Sequence, residues 1–339
     1  MKKLLLILLY ISPWTSLFPD DYPKKRLFDR DQHAAKILGR EDRKYGDHSG
    51  NRVLCRFYNQ GSIGDQSSSF SGVYPVGSGH SYIWEFSPVI AASVLDTSGN
   101  RKRIVSDGLR GLVDVSPEGT PWSFEPIAGY ANPNQENLAM SDNSSTWPST
   151  WPNRDEDWDG EWNGQYGKYV RADQESYFVM DDYYNSEYEF WPDLDDTPES
   201  SLESPDDHRR GLGIDLEVRG YQWNHPAAED IIIVTYWITN IGSNNLDSVV
   251  FGMYGDADVG GPSSFSDDDA WFDTENDMVY QWDHDNWSTS YGGFRPAYFG
   301  WSFLESPGNP NDGIDNDGDG MIDESQFDGI DNDGDWDPE

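Results

Sequence analysis

The sequence has one cysteine, Cys55, among 339 residues, so an intramolecular disulfide is impossible. The apolar neighbours in residues 52–57 predict that this thiol is a small buried side chain on a strand. Basic residues are also scarce, since 23 Lys and Arg stand against 62 Asp and Glu, giving a net charge of −39. Such a chain repels phosphate backbones and anionic lipid, which excludes nucleic acid as a partner and favours cations.

No apolar run is long enough to span a bilayer. Residues 4–11 are unbroken apolar and follow Lys2 and Lys3, which is the pattern of a signal peptide. We therefore expect residues 1–18 to be a signal peptide and the protein to be secreted or displayed at the cell surface. A buried N-terminal strand and a retained anchor are the alternatives for this run. Residues 19–52 are polar and basic, which indicates a linker or arm.

Hydrophobic residues make up only 36% of the chain, but aromatic residues reach 14%, which argues for a packed core and against disorder. From residue 53 to 305, short apolar segments alternate with Gly, Ser, Pro and Asn, as in strands joined by turns. Residues 214–219 alternate apolar and charged, which predicts a half-buried strand. Residues 230–239 are β-branched and aromatic, which predicts a central strand. We expect an all-β fold, an antiparallel β-sandwich of immunoglobulin-like texture, in one domain or two.

Residues 115–210 are rich in Trp, Pro and Asp, and proline disfavours both helix and sheet ladder. We expect long loops over the scaffold there, with one strand at residues 176–180. Flat indoles match sugar rings, so the loops supply candidate sugar-binding residues: Trp147, Trp151, Trp158, Trp162 and Trp191. The alternative is that these tryptophans pin the loops to the scaffold. Paired carboxylates would suit a glycoside hydrolase, but 62 acids make chance pairing common, so no catalytic residue is assigned.

The acidic tail, residues 306–339, contains the sequence DGIDNDGD twice, at residues 312–319 and 328–335. Asp at every second position, separated by Gly or Asn, lets a tight loop direct several carboxylates at one cation. Ca²⁺ accepts six to eight oxygen ligands in flexible geometry. The spacing therefore predicts calcium-binding repeats.

The first repeat fits the spacing of a calcium loop. Its predicted ligands are Asp315, Asp317, Asp319, the carbonyl of Met321, and Asp323. Gln326 stands where a bidentate Glu is usual, and Glu324 or Asp312 can compensate. The second repeat offers Asp331, Asp333 and Asp335, but Trp336 replaces the turn glycine.

These residues resemble the aspartate-rich calcium repeats of thrombospondin type 3 and dockerin-like modules, over residues 311–339 only. Together with GLGIDLEVRGYQWNHPAAEDIIIVTYWITN and VVFGMYGDADVGG, the tail is similar to large, uncharacterised exported bacterial surface proteins that carry DGIDNDGDG repeats. The resemblance implies secretion and surface display and implies no reaction. Because the chain stops inside a repeat, we expect it to be the N-terminal piece of a longer protein.

Further acids follow predicted strands within residues 256–285. They are Asp256, Asp258, Asp267, Asp268, Asp269, Asp283 and Asp285, with His284 between the last two. Carboxylates at adjacent strand ends can form a second calcium site, or they can be solvated loop acids. A transition-metal site is not favoured, because no second His lies at ligand spacing.

The sequence therefore favours a non-enzymatic, secreted or cell-surface structural or adhesive protein with calcium-stabilised acidic repeats. The alternative is a carbohydrate-binding module or part of a secreted glycoside hydrolase that uses the Trp-rich loops. The expected partners are Ca²⁺ and extracellular polysaccharide or surface proteins.

Overall fold

The computed structural model describes residues 42–65, 68–96, 98–110, 114–117, 122–193, 209–274 and 276–305, and the backbone strand Leu4–Pro13. Its strands are β1 (Leu4–Pro13), β2 (Tyr45–His48), β3 (Cys55–Tyr58), β4 (Ile83–Leu95), β5 (Arg101–Asp107), β6 (Glu125–Pro126), β7 (Ala139–Met140), β8 (Gln174–Asp181), β9 (Ile214–Gln222), β10 (Ile231–Asn240), β11 (Asp247–Ala257), β12 (Asp268–Asp273), β13 (Met278–Asp283) and β14 (Tyr298–Glu305). Helical turns within these residues are short 3-10 segments, such as Ser144–Thr146, Glu156–Trp158 and Phe265–Asp267.

The largest sheet has nine strands in the order β12-β13-β14-β1-β10-β9-β8-β6, and β7 also pairs with β8. A second sheet has the order β11-β4-β5, and β2 pairs with β3. The ladders between these named strands are antiparallel, except for the two parallel ladders that β1 forms with β10 and β14. The predicted all-β class is confirmed.

Local sequence pattern explains the strands that flank the core. In β9 the alternating side chains of Ile214, Leu216 and Val218 are buried, as the pattern predicts. In β10 Val234 and Tyr236 are fully buried, and the strand pairs on both sides, so its central position is also confirmed.

One hydrophobic core draws side chains from both main sheets. Phe86 of β4 meets Phe299 and Trp301 of β14 edge to face, with ring centroids 5.2 and 4.7 Å apart. Tyr236 of β10 lies 5.2 Å from Phe251 of β11. Aromatic pairs at this spacing bury large apolar area in fixed orientations, and these pairs join strands of the nine-stranded sheet to β4 and β11.

The buried thiol of Cys55 confirms its predicted role as a core side chain. Burial raises the pKa of this thiol to about 12, so it is neutral and unreactive near neutral pH.

Two segments differ from their sequence interpretation. Residues 45–48 form β2 inside the predicted arm 19–52, because they pair with β3 and place His48 against Ser176 of β8. Leu4–Pro13 form an interior strand, as in the buried-strand alternative, whereas removal of residues 1–18 on export stays a prediction.

Within the described residues, no helix has the length and apolar character to cross a membrane. The acidic tail, with all its predicted calcium ligands, lies outside the described residues.

Candidate metal centre

Several acidic residues meet at one end of the β12–β13 hairpin. The antiparallel register pairs Asp268, at the start of β12, with Asp283, at the end of β13. Asp267 ends the 3-10 turn that leads into β12, and Asp285 follows β13 by two residues. The hairpin therefore joins acids that are far apart in the chain.

Three of these acids have the geometry of a cation site. One carboxylate oxygen each from Asp267, Asp283 and Asp285 lies within 4.8 Å of the other two. Oxygens at a Ca²⁺ bond length of about 2.4 Å are at most about 4.8 Å apart. The all-oxygen donor set suits a hard cation and offers nothing to a thiolate-preferring or imidazole-preferring metal.

Asp283 is the buried member of the group, with 2% of its surface exposed, whereas Asp267 and Asp285 are exposed. Its Oδ2 accepts a hydrogen bond from the Ser264 hydroxyl at 2.9 Å. Its Oδ1 accepts from the backbone N–H of Trp287 at 2.7 Å, and the same N–H lies 2.8 Å from Oδ1 of Asp285. These bonds fix the direction of the Asp283 carboxylate before any cation arrives.

Asp268 adds negative charge beside the group. Its Oδ2 accepts from the backbone N–H of Val259 at 2.8 Å, while Oδ1 is buried without a hydrogen-bond partner among the described residues. Burial, reinforced by the nearby carboxylates of Asp283, Asp258 and Asp267, raises the pKa of Asp268 to about 7. An added cation would favour the ionised form of this acid.

The remaining acids named from the sequence do not join the group. Asp269 accepts from His284, whose Nδ1 lies 2.7 Å from Asp269 Oδ2, and this contact raises the pKa of His284. Asp256 lies opposite Glu85 in the β11–β4 ladder, and its Oδ2 is 3.4 Å from the Tyr254 hydroxyl. The sequence identified all the candidates, but choosing among them requires the pairing of β12 with β13.

Two of the candidate sugar-binding tryptophans are buried. Trp151 and Trp162 each expose 2% of their surface, in a second cluster with Tyr177 of β8. The indole N–H of Trp151 donates to the carbonyl of Glu161 at 3.0 Å. A sugar ring cannot reach either indole face in this structure, so both follow the alternative in which tryptophan pins the loops.

The other loop tryptophans are partly exposed and already engaged. Trp147 donates its indole N–H to the carbonyl of Met140 at 2.7 Å. The cations of Arg154 and Lys168 lie 4.2 and 5.4 Å from the Trp158 ring centroid. Arg210 lies 4.6 Å from the Trp191 ring. The rings of Trp158 and Trp191 are therefore already engaged in cation–π contacts within the protein.

Two buried ionisable groups lie away from the acidic group. His48 is buried with Nε2 2.8 Å from the Ser176 hydroxyl, and burial lowers its pKa to about 3. Asp182 is buried, and burial raises its pKa to about 6 against the opposing effect of its hydrogen bonds. Its donors are the hydroxyl of Ser106 and the backbone N–H groups of Leu212, Gly213 and Ile214. Both residues hold strands together and neither faces an open cleft.

Comparison with known proteins yields no match. No protein-family model fits the chain, and neither a curated protein nor a solved structure is significantly similar to it.

Proposed function

We propose that this protein is a calcium-stabilised structural or adhesive protein of the cell exterior, built on a β-sandwich and without a catalytic role. The observation that carries the proposal is the grouping of Asp267, Asp283 and Asp285 within 4.8 Å. The core shared by β4 and β14 through Phe86 and Phe299 supports the sandwich interpretation. The signal-peptide pattern of residues 1–18 supports export.

Calcium at this group would act on the hairpin. Three carboxylates held this close repel one another, and a divalent cation converts that repulsion into attraction. Because Asp267 directly precedes β12 while Asp283 ends β13 and Asp285 follows it, the cation would tie the start of β12 to the end of β13 at the open end of the hairpin. Exposed Asp267 and Asp285 leave room for water in the remaining coordination positions, which fits the weaker calcium sites of extracellular modules.

The acidic repeats extend the same chemistry into the tail. Asp315, Asp317 and Asp319 are the first ligands of the better repeat. We propose that calcium neutralises this segment and converts it into a stiff spacer, since dense like charge without a cation keeps a chain extended.

The test is a thermal melt of the full chain, chelated and then titrated with calcium. Wild type is expected to gain about 2 °C at ten times the Kd, because a ligand at that concentration stabilises the folded state by about 1.4 kcal/mol. The double variant Asp267→Asn with Asp285→Asn is expected to lose this gain. Asp256→Asn is the matched control, because Asp256 belongs to the same run of acids but not to the group.

Calorimetry on the same proteins separates the hairpin from the tail. The double variant should lose one calcium site and keep those of the repeats. If the double variant melts with the same calcium-dependent gain as wild type, the group on the hairpin is a solvated set of acids and the proposal fails.

A further inference from the structure

The position of β1 raises a question that calcium binding does not answer. Residues 6–13 pair in parallel with residues 231–238 of β10, and residues 4–9 pair in parallel with residues 298–303 of β14. The strand thus fills the interior of the largest sheet. The same residues carry the pattern of a signal peptide, which is removed on export. Residues 4–13 cannot both be removed on export and remain as an interior strand of the sheet.

Removal of β1 would open two strand edges inside the sheet. Neighbouring strands lie about 4.8 Å apart, so β10 and β14 are separated by about 9.6 Å across β1. Each edge would present a row of unpaired backbone N–H and C=O groups, which favours pairing with another strand.

Contacts that do not involve β1 hold both edges in place. β10 is paired along its length with β9, and its Tyr236 packs on Phe251 of the other sheet. β14 is paired with β13, and its Phe299 and Trp301 pack on Phe86. For β10 and β14 to pair directly, one of them would have to move by about 4.8 Å and leave these aromatic contacts. If β1 were removed, these contacts would keep β10 and β14 apart.

The register defines what can fill this gap. In a parallel ladder, paired residues share one face of the sheet. Positions 7, 9 and 11 pair with Ile232, Val234 and Tyr236, which are fully buried, and position 5 pairs with the fully buried Phe299. The occupant must therefore be apolar at alternate positions over about seven residues. The acidic repeats place Asp, Asn or Gly at nearly all such positions and do not fit.

We propose that the gap between β10 and β14 is a strand-acceptor groove. Residues 4–13 fill it in the uncleaved chain, and an apolar strand of a partner polypeptide fills it, parallel to both edges, once those residues are gone. Backbone hydrogen bonds to both edges would supply affinity, and the alternating buried positions would supply specificity, as in other cases of strand addition. The inference rests on the export in the proposed function and goes beyond it, because it requires no cation and names a second ligand.

The experiment starts from the folded full chain with a protease site placed within residues 14–41. After cleavage, a labelled synthetic peptide of residues 1–13 is added in excess, and its incorporation is followed by size-exclusion chromatography. The control peptide carries Ile7→Asp and Leu9→Asp. Melts are recorded before cleavage, after removal of the cleaved segment, and after addition of each peptide.

The expected result is exchange of the labelled peptide into the cleaved protein, a melting temperature lower by at least about 5 °C when the groove is empty, and recovery with the wild-type peptide only. An unchanged melting temperature without the segment would show that β10 and β14 close on each other and would overturn the proposal. Failure of the cleaved segment to exchange even near the melting temperature would make β1 a permanent strand. N-terminal sequencing that finds residues 4–13 in the exported protein would also overturn it.

Discussion

The indole N–H of Trp162 donates a 2.6 Å hydrogen bond to Oε2 of Glu175, and both side chains are buried. The other oxygen of Glu175 accepts from the backbone N–H groups of Arg171 and Ala172. One buried carboxylate thus joins β8 to the turn before it and to the Trp-rich loops. Loss of the Trp162 donor would remove the hydrogen bond to Oε2 of Glu175 and leave this buried carboxylate less well solvated.

We expect Trp162→Phe to lower the free energy of unfolding by about 2–4 kcal/mol, since it removes the donor and some buried ring volume. Trp271→Phe is the control, because Trp271 is 62% exposed and should change stability by less than about 0.5 kcal/mol. Chemical denaturation measures both. Equal stability of the two variants would contradict a structural role for this tryptophan.

The buried imidazole of His48 predicts sensitivity to acid. Its folded pKa is about 3 and its unfolded value is 6.5, so between these values the unfolded state binds more protons and stability falls as the pH falls. Between pH 6.5 and 4.5 wild type should lose about 2–3 kcal/mol more than His48→Gln does, at about 1.4 kcal/mol per pH unit. The exposed His225→Gln should follow wild type, and a His48→Gln profile parallel to wild type would refute the assignment.

Asp182 predicts the opposite slope. Its folded pKa of about 6 lies above the ordinary value of 3.8, so the folded state binds the proton more tightly and stability falls as the pH rises through this window. The loss amounts to roughly 2–4 kcal/mol and is complete above the folded pKa.

Asp182→Asn removes this titration, and the difference in unfolding free energy between the two proteins should change between pH 4 and 6 and stay constant above. Asn also loses an acceptor for the surrounding N–H groups, so the variant should be less stable at pH 7 by about 1–3 kcal/mol. A difference that is independent of pH would mean that Asp182 titrates at its ordinary value.

Two glycines separate backbone strain from steric overlap. Gly211 and Gly99 have φ of +66° and +77°, but a Cβ at Gly211 would lie 2.5 Å from Asp182 atoms, whereas one at Gly99 meets nothing within 4 Å. Gly99→Ala should therefore destabilise by about 1 kcal/mol and Gly211→Ala by about 3 kcal/mol or more. Denaturation midpoints measure both, and similar losses would show that the turn at Gly211 opens freely.

The strands could be predicted where local pattern and burial agree. β9 alternates and β10 is rich in β-branched and aromatic residues, and both patterns are consequences of packing on one or both faces. β12 could not be predicted, because Asp268 and Asp269 at its start are typical of a loop. β2 was missed for a related reason, since its place in the fold depends on the distant β3 and β8.

The candidate site was predictable as a set of residues and not as a geometry. Asp267 and Asp283 were both among the acids identified, but their proximity depends on the β12–β13 register. Composition likewise identified the loop tryptophans without their exposure. Trp151 and Trp162 became core residues because β8 offers them an apolar surface around Tyr177. Strand pairing and side-chain packing between distant residues cannot be predicted from the local sequence pattern.

A cation held by the acidic group on the hairpin would give a chain with one cysteine a cross-link that needs no disulfide. A disulfide joins two distant segments, and its persistence is set by the redox potential of the surroundings. A cation shared by Asp267 and Asp283 would be a cross-link whose occupancy depends on the concentration of the ion instead. The stabilisation of the folded state by calcium would increase by about 1.4 kcal/mol for each tenfold rise in free calcium above the Kd. The start of β12 and the end of β13 would be cross-linked where calcium is abundant and free of this cross-link where calcium is scarce.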